Sequence, residues 1–467
     1  MSFYQLNLAA FVAGNGYLLY QQYKRQEQEA VEELKQEAAA VDDGAEGNDI
    51  ELSQLLAEPA GSQAAVRQFQ LDFFPVYALA MAADWLQGPH IYAIYKYDKN
   101  IPEKVVAALY AAGFVSGAIS ASFAGELADR YGRRLACITY CIMYISTCLT
   151  MLTDNLFILF LGRFCGGIST TLLYSVFEAW LITEYNQRGL SRTKLKLGTV
   201  FGHMTTISSI VAIASGIFGD VLVNALGGRV WPFMASVACS AMAMWLILAR
   251  WKENYGTKQA GSTTSSLGDV KSGIQMIISD KRILSLGLTS TAFEGTMYLF
   301  VFFWSAALKS ARLKAGSNEE LPFGLIFSSF MCAMMAGSAF FSLYTKSHSK
   351  ETTSTILMLV VLVVSCCLSA AVLVESEMLL FWALCVVEAS IGAYFPSMSF
   401  LKSQVVEDGV RGRVYSLLRL PLNVFVVVAH SLDEEGDGHR NRVFLTCATL
   451  LMVSFFIVKR SFEQPKA

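Results

Sequence analysis

The chain has 467 residues, 54% of them apolar and only 16% charged, with a mean hydropathy of +0.44. A water-soluble fold keeps roughly 25% of its residues charged to solvate its surface, so this composition excludes an ordinary soluble enzyme and points to a lipid bilayer. The net charge of −2 supplies no basic field, and no nucleic-acid partner is expected. The ten cysteines all lie inside apolar runs and lack the accompanying His or second Cys pair of a metal site. Neither a metal nor a cofactor is expected.

A bilayer core about 30 Å thick takes roughly 20 residues of helix. On that measure the apolar runs predict helices over 4–20, 72–96, 105–129, 134–153, 155–185, 198–224, 229–251, 283–309, 322–345, 353–374, 378–403, 412–432 and 441–462. This is one outlying span followed by twelve. Residues 1–20 read as a retained hydrophobic helix rather than a cleaved signal peptide, for want of a basic leading segment or a small-x-small cleavage site. Residues 21–70 read as a polar linker, charged and helical over Lys24–Glu37 and then acidic and rich in Gly and Ala. A six-helix bundle is expected over 71–251, a flexible linker over 252–282, a second six-helix bundle over 283–462 and a tail over 463–467. Loop Lys and Arg gather on the side holding Arg130, Arg133 and Arg134, so the positive-inside rule makes that side and both linkers cytosolic.

The two bundles repeat unusual chemistry in order. Asp84 and Glu294 stand at similar depths in the first helix of each, 210 residues apart, and Gly113 and Gly324 follow in the second helices. Arg163-x-x-x-Gly167 parallels Glu388-x-x-x-Gly392, and His203 parallels Asn423. Such an ordered set is what duplication of a six-helix unit leaves behind. The fold expected is therefore an all-α membrane protein of two pseudo-symmetric six-helix bundles plus one extra N-terminal helix.

The most specific short signal is Gly125-Glu-Leu-Ala-Asp-Arg-Tyr-Gly-Arg-Arg134, which matches the loop pattern of the major facilitator superfamily between its second and third helices. Gly125 permits close helix contact and Gly132 a tight turn. Asp129 can pair with Arg133 or Arg134, and with Arg130 these residues form a candidate gating latch. Charges inside the spans speak to cargo, because burying one in hydrocarbon costs several kcal/mol unless it is paired or hydrated. Asp84, Glu294, Glu388 and Glu178 are candidate proton-coupling or cavity carboxylates. Arg163 and Arg419, with His90, His203 and Asn423 as further donors, are candidate holders of an oxyanion, since a guanidinium presents planar, multiple donors to tetrahedral oxygens. A cationic or sugar substrate would use the carboxylates instead, and the residues leave both open. Gly88-Pro89 predicts a kink after Asp84. The many aromatic residues read as lipid-facing or packing groups.

The segments Asp84–Tyr92, Leu161–Ile168, Phe177–Trp180, Phe293–Tyr298, Phe327–Met331, Tyr394–Phe400 and Arg419–Asn423 together resemble the molybdate-anion transporter family of that superfamily. The likeness extends to an N-terminal helix followed by a hydrophilic linker. It implies uptake of molybdate, a tetrahedral dianion, across a membrane. A multi-pass protein of the lipid bilayer is expected, at the plasma membrane rather than an internal one. A twelve-span body can enclose a complete pathway, so a functional monomer is expected. Rival readings are a transporter of a small organic solute such as a sugar, and a non-transporting receptor or scaffold on the same fold. No nucleophile elbow, phosphate loop or cofactor fingerprint supports an enzyme, and no catalytic residue is assigned.

Overall fold

A computed structural model describes residues 2–42, 62–190, 193, 195–256, 274–344, 350–406, 411–432, 434 and 436–462. The acidic part of the first linker, most of the second linker and the expected C-terminal tail lie outside the described residues. Among those described there is no β-strand. The long helices are α1 (Phe3–Asp42), α2 (Ser62–Gln87), α3 (Glu103–Ala121), α4 (Arg133–Leu149), α5 (Leu156–Gln187), α6 (Leu197–Leu226) and α7 (Trp231–Arg250). They continue as α8 (Lys281–Lys314), α9 (Phe323–Tyr344), α10 (Lys350–Leu373), α11 (Glu377–Val405), α12 (Arg411–Ser431) and α13 (Asp437–Phe462). Among the described residues, ten helices are long and apolar enough to cross a membrane, and α12 adds a shorter apolar stretch over Leu417–Ser431.

Local chemistry sets the ends. Asn155 caps α5 by accepting from the amides of Phe157 and Ile158, and the Asp280 side chain accepts from Arg282 N at the start of α8. Gly227, at φ +72°, closes α6 in the left-handed conformation that a Cβ disfavours. Several boundaries differ from expectation, among them the start of the second span, which lies at Ser62, inside the expected linker, rather than near residue 72. The first helix does not stop near residue 20, because the charged run that ends the apolar pattern is itself a good helix former, and α1 continues to Asp42. The second span breaks at Gly88-Pro89 as the sequence predicts, then resumes as a short helix Ile91–Ala93 and a π turn Ile94–Asp98. The third ends at Ala121 rather than near residue 129; Gly125, Asp129 and Arg130 of the latch occupy a separate helix, Ala124–Tyr131, Gly132 makes the turn, and Arg133 and Arg134 open α4.

Packing repeats with a period of six helices. α2 packs on α6 and α7, α3 on α5, and α4 on α5 and α7. Six helices later, α8 packs on α12 and α13, α9 on α11, and α10 on α11 and α13. The two most extensive helix contacts between the halves among the described residues are α3 with α12 and α6 with α9, and the exchange of halves turns each into the other. The closest approaches also repeat. A Cβ on Gly167 would stand 2.8 Å from Gly117 N of α3, and one on Gly392 would stand 3.0 Å from Ser338 N of α9. Gly113 O and Met334 O complete these two contacts, so Met334, not Gly324, is the structural counterpart of Gly113. Gly324 instead lies against Gly216 and Asp220 where α6 crosses α9. The extra helix α1 has no counterpart. It packs on α9, where Asn15 Nδ2 donates to Cys332 O at 2.9 Å, while Phe11 meets Trp382 and Tyr4 donates to Glu377.

Candidate functional site

Two carboxylates anchor the interior, one in the first helix of each half. Asp84 Oδ1 accepts from Tyr144 OH of α4 at 3.1 Å, and Oδ2 accepts from Tyr174 OH of α5 at 3.2 Å. Glu294 Oε1 accepts from Tyr394 OH of α11 at 3.0 Å, and Tyr394 stacks on Phe293 at 3.9 Å. Each carboxylate thus takes a phenol from the fourth helix of its own half. The aromatic residues that the sequence suggests are only packing groups are here the carboxylates' partners. Tyr174 is 53% exposed although its hydroxyl donates to Asp84. Tyr298 of α8 lies within electrostatic range of Tyr174, Glu294 and Arg419, and its ring meets Phe114 of α3 at 4.8 Å. The two half-sites therefore face one another across the interface.

Three cations attend this region without a carboxylate at ion-pair distance among the described residues. Arg163 lies over the Tyr110 ring at 5.3 Å and along α3, where a Cβ on Gly113 would stand 2.9 Å from its Nη2. The small residue at 113 makes room for the guanidinium. Arg163 is within electrostatic range of Asp84 but not bonded to it. Arg419 is exposed on α12, one turn before Asn423 on the same face. Lys402 of α11 lies in electrostatic range of both Glu294 and Arg419. Lys402 escapes the sequence reading because, three residues from the end of α11, it looks like ordinary loop charge.

The remaining candidates are placed as follows. Glu178 and His203 are exposed on α5 and α6, with His203 edge-on to Phe74 of α2 at 5.9 Å. Glu178 lies in electrostatic range of Tyr77 on the side that holds Asp84. Glu388 is 5% exposed in α11 and makes no hydrogen bond or ion pair among the described residues. His90 is buried beyond the break in α2 against Gly219, with neither ring nitrogen hydrogen-bonded. The structure does not bring His90 and Glu388 into the Asp84–Glu294 cluster.

The latch is closed within one half. Asp129 pairs with Arg133 at 2.7 Å, and Arg133 Nη1 donates to Ala179 O at 3.0 Å and to Thr183 of α5. Arg134 Nη2 donates to Leu248 O of α7 at 2.9 Å, while Arg130 lies over the Tyr131 ring. Glu253, just past α7, accepts from the amides of Arg134 at 2.7 Å and Leu135 at 3.2 Å and so caps α4. Gly132, at φ +118°, leaves no room for a Cβ beside that carboxylate. Gly125 meets nothing at its Cβ position, so its expected close helix contact is absent. The opposite end is where the halves meet. Arg229 pairs with Asp98 of its own half and with Glu320 of the other at 2.7 Å, and Asp220 accepts from Gly324 N at 2.9 Å. Ser328 Oγ donates to Ile213 O at 2.8 Å, and His430 sits among Tyr110, Phe114 and Phe302.

Residues 45–391 match the family described as sugar transporters with twelve transmembrane segments. A molybdate-anion transporter of Xenopus tropicalis is 31% identical over 429 residues, which is 88% of this chain and 90% of that protein. One from Takifugu rubripes is also 31% identical, over 88% of this chain and 91% of its own length. A solved structure of the nucleoside transporter NupG superposes with a TM-score of 0.67 at 13% identity, over 84% of this chain and all of that one. At that identity the likeness concerns the fold alone.

Proposed function

This chain belongs to the molybdate-anion transporter family of the major facilitator superfamily, and on that premise we propose that it takes up molybdate or a related oxyanion by alternating access. What supports the substrate class most is the trio Arg163, Lys402 and Arg419, which have no ion-pair partner among the described residues. Cations in a membrane interior are costly when unpaired, and a dianion arriving between them supplies the missing charge. Asn423 and His203 are assigned as further donors. The positive-inside rule puts the latch end in the cytosol, and the halves touch at the other end. The state described is then closed to the outside, with its interior reached from the cytosolic side. Uptake requires the Arg229–Glu320 and Asp220–Gly324 contacts to open.

In this account the latch is a clamp that keeps α3, α4, α5 and α7 moving as one body, since its contacts among the described residues stay within the first half and the stretch just after α7. Asp84 and Glu294 are assigned to proton coupling: protonation lifts the repulsion that two carboxylates would exert on a dianion. Glu388 and Glu178, which have no protein partner among the described residues, are the further coupling candidates. The reading is tested by uptake of labelled molybdate into proteoliposomes, with and without a pH gradient and with sulfate as competitor. Saturable uptake lost in Arg419→Ala supports it, and folded protein that moves no molybdate under any gradient sinks it. A sugar remains the second reading, favoured by the name of the matched family and by the carboxylate–tyrosine pairs, which suit hydroxyl groups. It requires uptake that oxyanions do not inhibit.

A further inference from the structure

A polar cavity lies at the end opposite the latch, well away from Asp84 and Glu294. It has a volume of about 490 Å³ and is walled by the extension of α2, the start of α3, the end of α8 and the start of α13. The two halves of the molecule each supply part of its wall. Its charged lining is Lys96, Lys309, Lys314 and Arg440 against Glu103 and Asp437, a net charge of +2.

These charges are not equally engaged. Asp437 is used up: Arg440 holds it at 2.9 Å, Lys314 at 3.2 Å, and Ser310 Oγ donates to it at 2.6 Å. Glu103 accepts from Tyr92 OH at 2.9 Å. Lys309 is different. Its ammonium stands 3.3 Å from the centre of the Tyr97 ring and has no hydrogen bond or ion pair among the described residues. An aromatic face attracts a cation but leaves its N–H groups unfilled. Arg229, Asp98 and Glu320, the ion pair that joins the halves, lie in electrostatic range of Lys309.

We propose that this cavity is an entry vestibule that captures a small tetrahedral oxyanion at the outer seam, held by Lys309 with Lys314 and Arg440, before the halves part. The oxyanion class rests on the function proposed above; the site itself rests on the cavity, its net charge and an ammonium with no protein acceptor among the described residues. A +2 pocket raises the local concentration of a dianion and speeds its arrival. A dianion seated beside Lys309 also competes with Asp98 and Glu320 for nearby cations, which weakens the contact that closes this end. Capture and opening are thereby coupled.

The test is protection of individual lysines of the full-length, reconstituted protein from a membrane-impermeant amine-acetylating reagent, read by mass spectrometry. Sodium molybdate and sodium sulfate are the probes, at constant ionic strength. Lys309 is expected to be protected in a saturable way, while Lys281, exposed at the other end, stays equally reactive when the reagent is admitted to both sides. Lys314→Gln removes one charge of the lining and should raise the half-protecting concentration about five-fold, the effect of one charge on a dianion at short range in screened water. Lys314→Arg should restore it. Lys309 that is modified at the same rate at every probe concentration overturns the vestibule, even if molybdate is transported. Protection of Lys309 by sulfate and molybdate in a protein that transports neither upholds the vestibule while the transport reading falls. Protection equal in wild type and Lys314→Gln also overturns it, because the pocket's charge would then play no part.

Discussion

Glu253 caps a helix from a distance in sequence, and its removal is a sharp test of how the latch is held. Its two oxygens take the amides of Arg134 and Leu135 at 2.7 and 3.2 Å, the first free N–H groups of α4. A hydrogen bond to a charged group contributes about 1.5–3 kcal/mol, and a carboxylate at a helix N-terminus adds about 0.3–1 kcal/mol. Glu253 is only half-buried, so water replaces part of what is lost. We expect Glu253→Ala to cost about 2 kcal/mol and Glu253→Gln about 1 kcal/mol, since the amide keeps one acceptor and turns its NH2 on the other N–H. Gly132 supplies the control. Gly132→Ala meets both the φ of +118° and the Glu253 carboxylate, whereas in the Glu253→Ala background only the backbone strain of about 1–3 kcal/mol remains. The double variant should therefore be less destabilised than the sum of the singles. Apparent melting midpoints in one detergent and lipid mixture rank the four proteins. Unchanged midpoints for Glu253→Ala, or strict additivity with Gly132→Ala, would refute the cap.

Three other predictions follow from the geometry. Gly167→Ala and Gly392→Ala place a methyl group against backbone of α3 and α9, and both should lower the yield of folded protein in size-exclusion profiles, whereas Gly113→Ala displaces only the flexible Arg163 guanidinium and should impair uptake more than folding. Glu320→Gln removes the ion pair that joins the halves at Arg229, so a cysteine placed at Ser328, buried where α9 meets α6, should react faster with an impermeant thiol reagent from that side; an unchanged rate would count against a closed outer end. Asp84→Asn and Glu294→Gln should each leave substrate binding measurable while flattening the pH dependence of uptake, and a profile parallel to wild type would remove that residue from the coupling role.

What the sequence exposes is whatever hydrocarbon makes expensive. Asp84, Glu294, Arg163 and Arg419 stand out as charges in apolar runs, and each of them lies in or beside the central cluster. Tyr144, Tyr174 and Tyr394 were hidden because a tyrosine is ordinary in such runs, and only the fold aims its hydroxyl at a carboxylate. Lys402 and Glu253 were hidden for the opposite reason, since a charge near a helix end or in a polar stretch needs no explanation. The helical repeat is legible as an ordered series, but its register is not. Loops of unequal length shift the offset between halves, so Gly113 pairs with Met334 in packing rather than with Gly324. The length of α1 was obscured because hydropathy ends where its charged segment begins, while helix propensity does not.

Uptake of labelled molybdate into proteoliposomes, comparing wild type with Arg419→Ala and Lys402→Gln, tests the central claim most directly. The account predicts saturable uptake that sulfate inhibits, that Arg419→Ala abolishes and that Lys402→Gln weakens through a raised KM. Uptake undiminished in both variants would contradict an oxyanion held by these cations, as would folded wild-type protein that carries no molybdate at all.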